Sequence, residues 1–220
     1  MTTRFLIVVN VIVFIWEIAT LGTGILSGNV DVNGLVRDGA LVPIAVTQYH
    51  EYWRIFTSAF LHGSILHIAV NMYSLYVLGR FMEAALGSPR MLFIYMVSLV
   101  ASGLGVVYLS SPNVATLGAS GAIFGLFGAL FAIGLKFGPR GMDLVKANIP
   151  ILLVNLIFTF AVPGISWQAH VSGLLAGFII TFAIYFPPKR IRPEVVDAGS
   201  GSALDSEYEP APENVTQSRG

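Results

Sequence analysis

Six times between residues 5 and 186 the chain runs for close to twenty residues with hardly a charge. About twenty residues at 1.5 Å each is what a helix needs to cross roughly 30 Å of hydrocarbon. The runs cover roughly 5–21, 62–82, 91–110, 117–136, 144–162 and 167–186. Inside lipid each backbone N–H and C=O must find a partner without water, so such runs fold as helices. The expected fold is an all-α membrane protein, a six-transmembrane-helix bundle. Only 11% of residues are charged, against about 25% in soluble domains. The fifth run is the weakest, with Asn148, Pro150 and Asn155 inside it. The first resembles a signal peptide behind Arg4, but no small-residue cleavage site follows it, and five more runs do.

Basic residues orient the bundle. With six spans, the N-terminus, the loops after spans 2 and 4 and the C-terminus share one side, which holds ten of the twelve Lys and Arg residues. Arg37 and Arg54 lie on the other side. Cytoplasmic loops carry the excess of Lys and Arg, so both termini are expected in the cytoplasm. The first outer loop, about 22–61, is too long for a bare connector. Its Tyr49, Tyr52, Trp53, Phe56 and Phe60 suit a segment lying in the membrane interface, with a small soluble cap as the alternative. Pro187-Pro188 stops the last helix, and residues 187–220, rich in Gly, Ser, Pro and acids, are expected to form a disordered cytoplasmic tail. Nothing resembles a basic patch for nucleic acid. With no cysteine there is no thiolate metal site or thiol nucleophile.

Polar groups inside lipid are costly and point to function. Three of the four histidines and an asparagine occur in His62-x4-His67-x3-Asn71 and in Ala169-His170. His67 and Asn71, four apart, share a helix face, whereas His62 is expected to point elsewhere. A His62/His67 metal pair is therefore poorly placed, and no carboxylate lies near in sequence to complete it. The third polar element is Thr116-Leu-Gly-Ala-Ser120-Gly-Ala-Ile-Phe124-Gly. A serine set among glycines at a helix start is either a packing residue or a nucleophile beside free backbone N–H groups. Gly121, Gly125 and Gly128 line one face of span 4; Gly173, Ala176 and Gly177 line span 6. Smooth stripes let helices approach closely, so spans 4 and 6 are expected to pack face to face and bring Ser120 to His170. Counting 1.5 Å per residue from His62 places His67 about 7 Å and Asn71 about 13 Å along span 2, at a level shared with Ser120 and His170 in the outer half of the bilayer.

A serine in reach of a histidine is a nucleophile with its general base. Spans 4 and 6 contain no acid to complete a triad, which fits a medium where a buried carboxylate is expensive. Phe124, one turn after Ser120, is placed to stack on the imidazole. The backbone N–H of Ser120 and the side chains of Asn71 and His67 are candidate donors to an oxyanion. Those parts suffice for acyl transfer, and hydrolysis then needs a wet cavity open to the outer face.

The chain resembles the rhomboid intramembrane serine proteases. The matching pieces are Glu51-Tyr-Trp53-Arg54, His62-x4-His67-x3-Asn71-Met72, Gly79-x3-Glu83-x3-Gly87, Gly118-Ala-Ser120-Gly121 and Ala169-His170-x2-Gly173-x3-Gly177. They cover residues 1–186 in the family's order and spacing, and together they are highly specific. The resemblance implies Ser120 as nucleophile, His170 as general base, and His67, Asn71 and the Ser120 amide as oxyanion donors. Gly118 and Gly121 match the glycines flanking the nucleophile, and Phe124 stands where the family often has Tyr. Trp53, Arg54, Glu83 and His62 match structural positions. It also implies a transmembrane segment of another protein as substrate, span 5 and the outer loops as its route of access, and no cofactor or metal. The expected location is a cell membrane, plasma or inner; the compact form without an amino-terminal domain or targeting peptide favours a prokaryotic one.

Two other function classes are weighed against this one. A catalytically inactive client-binding relative has no need for both Ser120 and His170. A small transporter using His67, Asn71 and His170 predicts polar groups through both halves of the bilayer, whereas the inner ends of spans 2, 4 and 6 are apolar.

Overall fold

The structure, a computed structural model, describes residues 1–29, 31–161 and 165–185. The stretch read as a tail, 187–220, lies outside the described residues. Every regular element among the described residues is helical. Helix α1 is Thr2–Leu21. The long first loop holds a 3₁₀ turn, Thr23–Ser27, and the short helices α2 (Val32–Asp38), α3 (Pro43–Thr47) and α4 (Arg54–Thr57). Span 2 is α5 (Ile65–Ser74) and α6 (Arg80–Leu86), joined through a π-helical turn at Leu75–Gly79. Then come α7 (Ser88–Leu109), α8 (Ser120–Phe137), α9 (Pro139–Ala147), α10 (Ile149–Ala161) and α11 (Trp167–Ile184).

Among the described residues, five helical stretches are long and apolar enough to cross a membrane, and a sixth results if α9 and α10, bent by 49°, count as one broken span. The fifth span read from sequence is this bent pair. Its cause is local. Pro150 has no N–H, so the carbonyl four residues earlier loses its helical donor. Asn148 occupies the break and turns its amide back onto the Leu144 carbonyl at 2.9 Å.

Helix α8 is the axis. Of its hydrophobic window 72% is buried inside the bundle, against 22–44% for the four other continuous spans. Lipid tails are as apolar as leucine, so helix association here depends on close fit rather than on escape from water. The two small-residue stripes supply that fit. A side chain on Gly173 would strike the carbonyl of Gly121, and one on Gly177 the carbonyl of Gly125. On α8's other side, Gly121 and Gly125 face Ser102 and Ser98 of α7. Spans 4 and 6 thus meet backbone to backbone, as their stripes require.

Helix α1 is pinned at both ends by carboxylates. At one end Glu83 of α6 accepts hydrogen bonds from the Thr2 and Thr3 amides at 2.7 and 3.2 Å and from the Thr3 hydroxyl at 2.8 Å. These amides open a helix and have no carbonyl of their own, so Glu83 caps α1 from another element. At the other end the buried Glu17 accepts from the His62 amide at 3.0 and 3.1 Å. The first loop is a packed unit. Leu41 and Thr116 exchange two backbone hydrogen bonds of 2.8 Å, which ties the loop to the segment entering α8. The Arg54 guanidinium pairs with Glu51, donates to the Ala40 carbonyl at 3.0 Å and lies over the Trp53 ring at 4.5 Å. Tyr49, Tyr52, Trp53 and Phe56 remain exposed along this unit.

Candidate active site

Helix α8 begins at Ser120, so the Ser120, Gly121 and Ala122 amides stand in its first turn, where the helix offers them no carbonyl. The chain arrives through Gly118 at φ +113°, a conformation that side-chain-bearing residues rarely adopt. Space excludes them as well, because a Cβ at Gly118 would sit 2.7 Å from Nε2 of His67 and 3.4 Å from the Asn71 amide nitrogen. The Gly118 N–H is anchored to the Ser58 carbonyl at 2.8 Å. Glycine here lets the backbone pass directly over the side chains of span 2.

The structure brings Ser120 and His170 together, with Ser120 Oγ 2.6 Å from His170 Nε2. His170 is 5% exposed and Ser120 half-buried. Phe124 stacks on the imidazole at a centroid distance of 4.2 Å and an interplanar angle of 9°. One ring face is thereby covered, and rotation of the imidazole is blocked by packing. On the ring's far side Nδ1 lies 2.8 Å from the Thr159 hydroxyl of α10. That hydroxyl is also 2.7 Å from the Asn155 carbonyl, one turn earlier. Asn155 in turn donates to the Ser74 hydroxyl of α5 at 2.7 Å. A polar chain therefore runs from span 2 through span 5 to the imidazole on span 6.

Helix α5 starts at Ile65, where Ser64 accepts from the His67 amide at 3.1 Å as its N-cap. His62 thus precedes the helix, and helical spacing does not govern it. The expectation that it points away from His67 is corrected: the two rings meet edge to face with centroids 5.0 Å apart. Depth along span 2 likewise counts from Ile65, which puts His67 in the first turn and Asn71 in the second. His62 orients Asn71. Its Nδ1 lies 3.2 Å from the Phe60 carbonyl, which can only accept, so Nδ1 carries the proton and Nε2 is an acceptor. The Asn71 Nδ2 group, 3.1 Å away, donates to that Nε2. One amide proton is used there and the second remains beside Gly118.

Ser120, His170, His67 and Gly118 line a cavity of about 350 Å³, together with Ser58 and Phe158. Asn71 lies behind its wall, 2% exposed. No group of three or more His, Cys, Asp or Glu side chains among the described residues is arranged to hold a metal ion. Chemically the arrangement is a hydroxyl paired to an imidazole beside unpaired amides, on the wall of a cavity. Sequence reasoning passed over Thr159 and Ser74, whose i, i+4 spacing to Asn155 and place in span 2 were the available signals, and Glu17, an acid in the first span.

Residues 49–186 match the rhomboid domain family. The chain is 35% identical over 161 residues to rhomboid protease GluP of Bacillus subtilis, covering 73% of this chain and 31% of that protein. It is 35% identical over 143 residues to rhomboid protease GlpG of Yersinia pestis, covering 64% of this chain and 51% of that one. It is 35% identical over 165 residues to RHOMBOID-like protein 1 of Arabidopsis thaliana, with 70% and 40% covered. The chain thus spans between about a third and a half of the length of these relatives. A domain match over more than half the chain, on a helical bundle whose glycine stripes seat a serine against a histidine, means that this chain belongs to the rhomboid family.

Proposed function

We propose that the protein is an intramembrane serine endopeptidase that hydrolyses peptide bonds in or near transmembrane segments of other membrane proteins. The contact that carries this reading is the 2.6 Å approach of Ser120 Oγ to His170 Nε2 at the opening turn of α8. The hydroxyl proton passes to Nε2 as Oγ attacks the scissile carbonyl carbon. The carbonyl oxygen becomes an oxyanion, for which the Ser120 amide, the second Asn71 amide proton and His67 are the donors. Collapse breaks the C–N bond, and His170 returns the proton to the departing amine. Water then attacks the Ser120 ester with His170 again as base, releasing the acid and restoring the serine. The His67–Gly118 proximity supports the donor assignment, because it puts the imidazole beside the backbone that leads to Ser120.

The distribution of Lys and Arg supports cytoplasmic termini and a site opening to the outer face. A client-binding relative without catalysis would also have a cavity, but would not need a hydroxyl held on an imidazole. Labelling by a fluorophosphonate probe tests both parts. The detergent-solubilised protein is expected to label, with Ser120→Ala abolishing the signal and His170→Ala reducing it by at least about a hundredfold. A charged, membrane-impermeant version of the probe is expected to label intact cells. Label retained in Ser120→Ala would sink the nucleophile assignment, and labelling that requires broken cells would reverse the orientation.

A further inference from the structure

The imidazole of His170 makes a hydrogen bond on each nitrogen, and the partners decide where its proton sits. Thr159 Oγ1 is within hydrogen-bond distance of two groups, the Asn155 carbonyl at 2.7 Å and His170 Nδ1 at 2.8 Å. A threonine hydroxyl has one proton to give. A carbonyl oxygen cannot donate, so the 2.7 Å contact is made by the Thr159 proton, in the i to i−4 back-bond that helical threonines form. The same oxygen then faces Nδ1 with lone pairs alone, and that contact is made by an N–H of the ring. If Nδ1 is protonated in the neutral ring, Nε2 is not. The nitrogen 2.6 Å from Ser120 therefore presents a lone pair to the serine hydroxyl.

We propose that Thr159 is a positioning residue for the reaction above: by accepting from Nδ1–H it holds His170 in the tautomer that can act as base toward Ser120. This rests on the reading of Ser120 and His170 as nucleophile and base. Thr159 takes the place an aspartate holds in a triad, orienting the ring and fixing its tautomer. It does so without a buried charge, in a wall where a carboxylate would be costly. A neutral hydroxyl stabilises the imidazolium less than a carboxylate does, so packing must supply the remaining orientation, and the Phe124 ring stacked on the other face does so. The Asn155 carbonyl is essential to the device. Without it the Thr159 proton would be free to point at Nδ1, and the ring would carry its proton on Nε2, facing Ser120 as a donor. The acceptor sits on α10 and the base on α11, so the tautomer depends on the register of span 5 against span 6.

The experiment has a structural arm and a kinetic arm. In protein labelled with ¹⁵N-histidine, the His170 resonances are identified by their loss in His170→Ala. Wild type is expected to show a protonated Nδ1 and an unprotonated Nε2. Thr159→Val keeps the shape and deletes the acceptor, and is expected to lose this pattern; Thr159→Ser is expected to keep it. Fluorophosphonate labelling of Thr159→Val should slow by about 10- to 100-fold, with Thr159→Ser within about threefold of wild type. On a cleavable substrate the loss should fall on kcat and leave KM unchanged, as expected for an interaction realised in the transition state. An Nε2-protonated ring in wild type overturns the proposal whatever the kinetics, and so does a Thr159→Val protein that keeps the wild-type tautomer and rate. If instead label persists in Ser120→Ala, the nucleophile reading fails while the tautomer pattern still stands or falls by the resonances.

Discussion

The contact between α8 and α11 and the seating of α10 are built on opposite principles. Where α8 meets α11, glycine backbone lies on glycine backbone, with Gly121 against Gly173 and Gly125 against Gly177. No side chain separates them, so neither helix can rotate or slide without collision. Helix α10 offers the bundle no such stripe. Its Leu153, Val154, Ile157 and Phe160 face away from the protein; Ile151 reaches the core, and beside it polar groups reach inward, Asn155 to Ser74 and Thr159 to His170. Ser120 and His170 thus ride on the pair locked by shape, while Thr159, the third partner of the imidazole, sits on a helix whose inward contacts include hydrogen bonds. In lipid a fit of surfaces resists displacement over its whole length, whereas a single interhelical hydrogen bond contributes about 0.6 kcal/mol on average. The glycine-packed pair sets the 2.6 Å distance from Ser120 Oγ to His170 Nε2, and α10 supplies the contact to the ring's other nitrogen.

The largest effect should come from spoiling the glycine contact. In Gly177→Val the new Cβ is directed at the Gly125 carbonyl, and backbone rather than a flexible side chain would have to yield. The expected loss is about 3 kcal/mol, the upper part of the usual range for overpacking. Thermal unfolding in detergent should register it as a lower Tm, and fluorophosphonate labelling should disappear in the same sample because Ser120 and His170 move apart. A Gly177→Val protein with wild-type Tm would mean that the two helices have slack, and the contrast with α10 would be lost.

That contact was legible before any coordinates, and the reason is physical. Small residues at spacing four have little purpose in lipid other than close approach, so Gly121/Gly125 and Gly173/Gly177 announce a partner. His67, Asn71, Ser120 and His170 were legible for a related reason, since polar groups that pay for their place in lipid stand out from an apolar background. Thr159 gives no such signal. A threonine can bond the carbonyl one turn back and so hide its polarity in any helix, and only the second contact, to His170, sets it apart. The geometry of His62 was hidden because the helix begins three residues after the apolar run does, behind a cap formed by Ser64. Glu17 was unreadable as a ligand of the His62 amide because the two are 45 residues apart. The bend at Asn148 was signalled only as weakness, by Pro150 and its two asparagine neighbours.

A middle-sized effect tests the other side of the contrast. Asn155→Leu removes the donor to Ser74, whose hydroxyl keeps its own bond to the Val70 carbonyl at 2.7 Å. No buried group is stranded on α5, so the cost should be about 1 kcal/mol. It should also be local. Hydrogen exchange is expected to speed up in peptides from 149–161 and to remain unchanged in 120–137. The Asn155 backbone carbonyl survives the substitution, so the Thr159 back-bond and the His170 tautomer are expected to persist where α10 stays in register. Equal acceleration in both helices would show that α10 is as firmly seated as α8, and that the bundle opens as one unit.

The smallest effect should come from the outward face of α10. Ile157 is 65% exposed and sits between Asn155 and Thr159, on the opposite side of the helix from both. Truncating it to alanine leaves no cavity inside the bundle, so neither the transfer nor the void term of a core truncation applies. Alanine is also the better helix former, by a few tenths of a kcal/mol per residue. Ile157→Ala is therefore expected to hold Tm within the equivalent of about 0.5 kcal/mol and to leave labelling unchanged. Ile123 of α8, the same residue type fully buried, sets the scale, since the same truncation there falls in the range of about 2–5 kcal/mol. If Ile157→Ala instead lowers Tm by as much as Ile123→Ala, then α10 is gripped by side chains on its outer face as well, and hydrogen bonds are not what seats it.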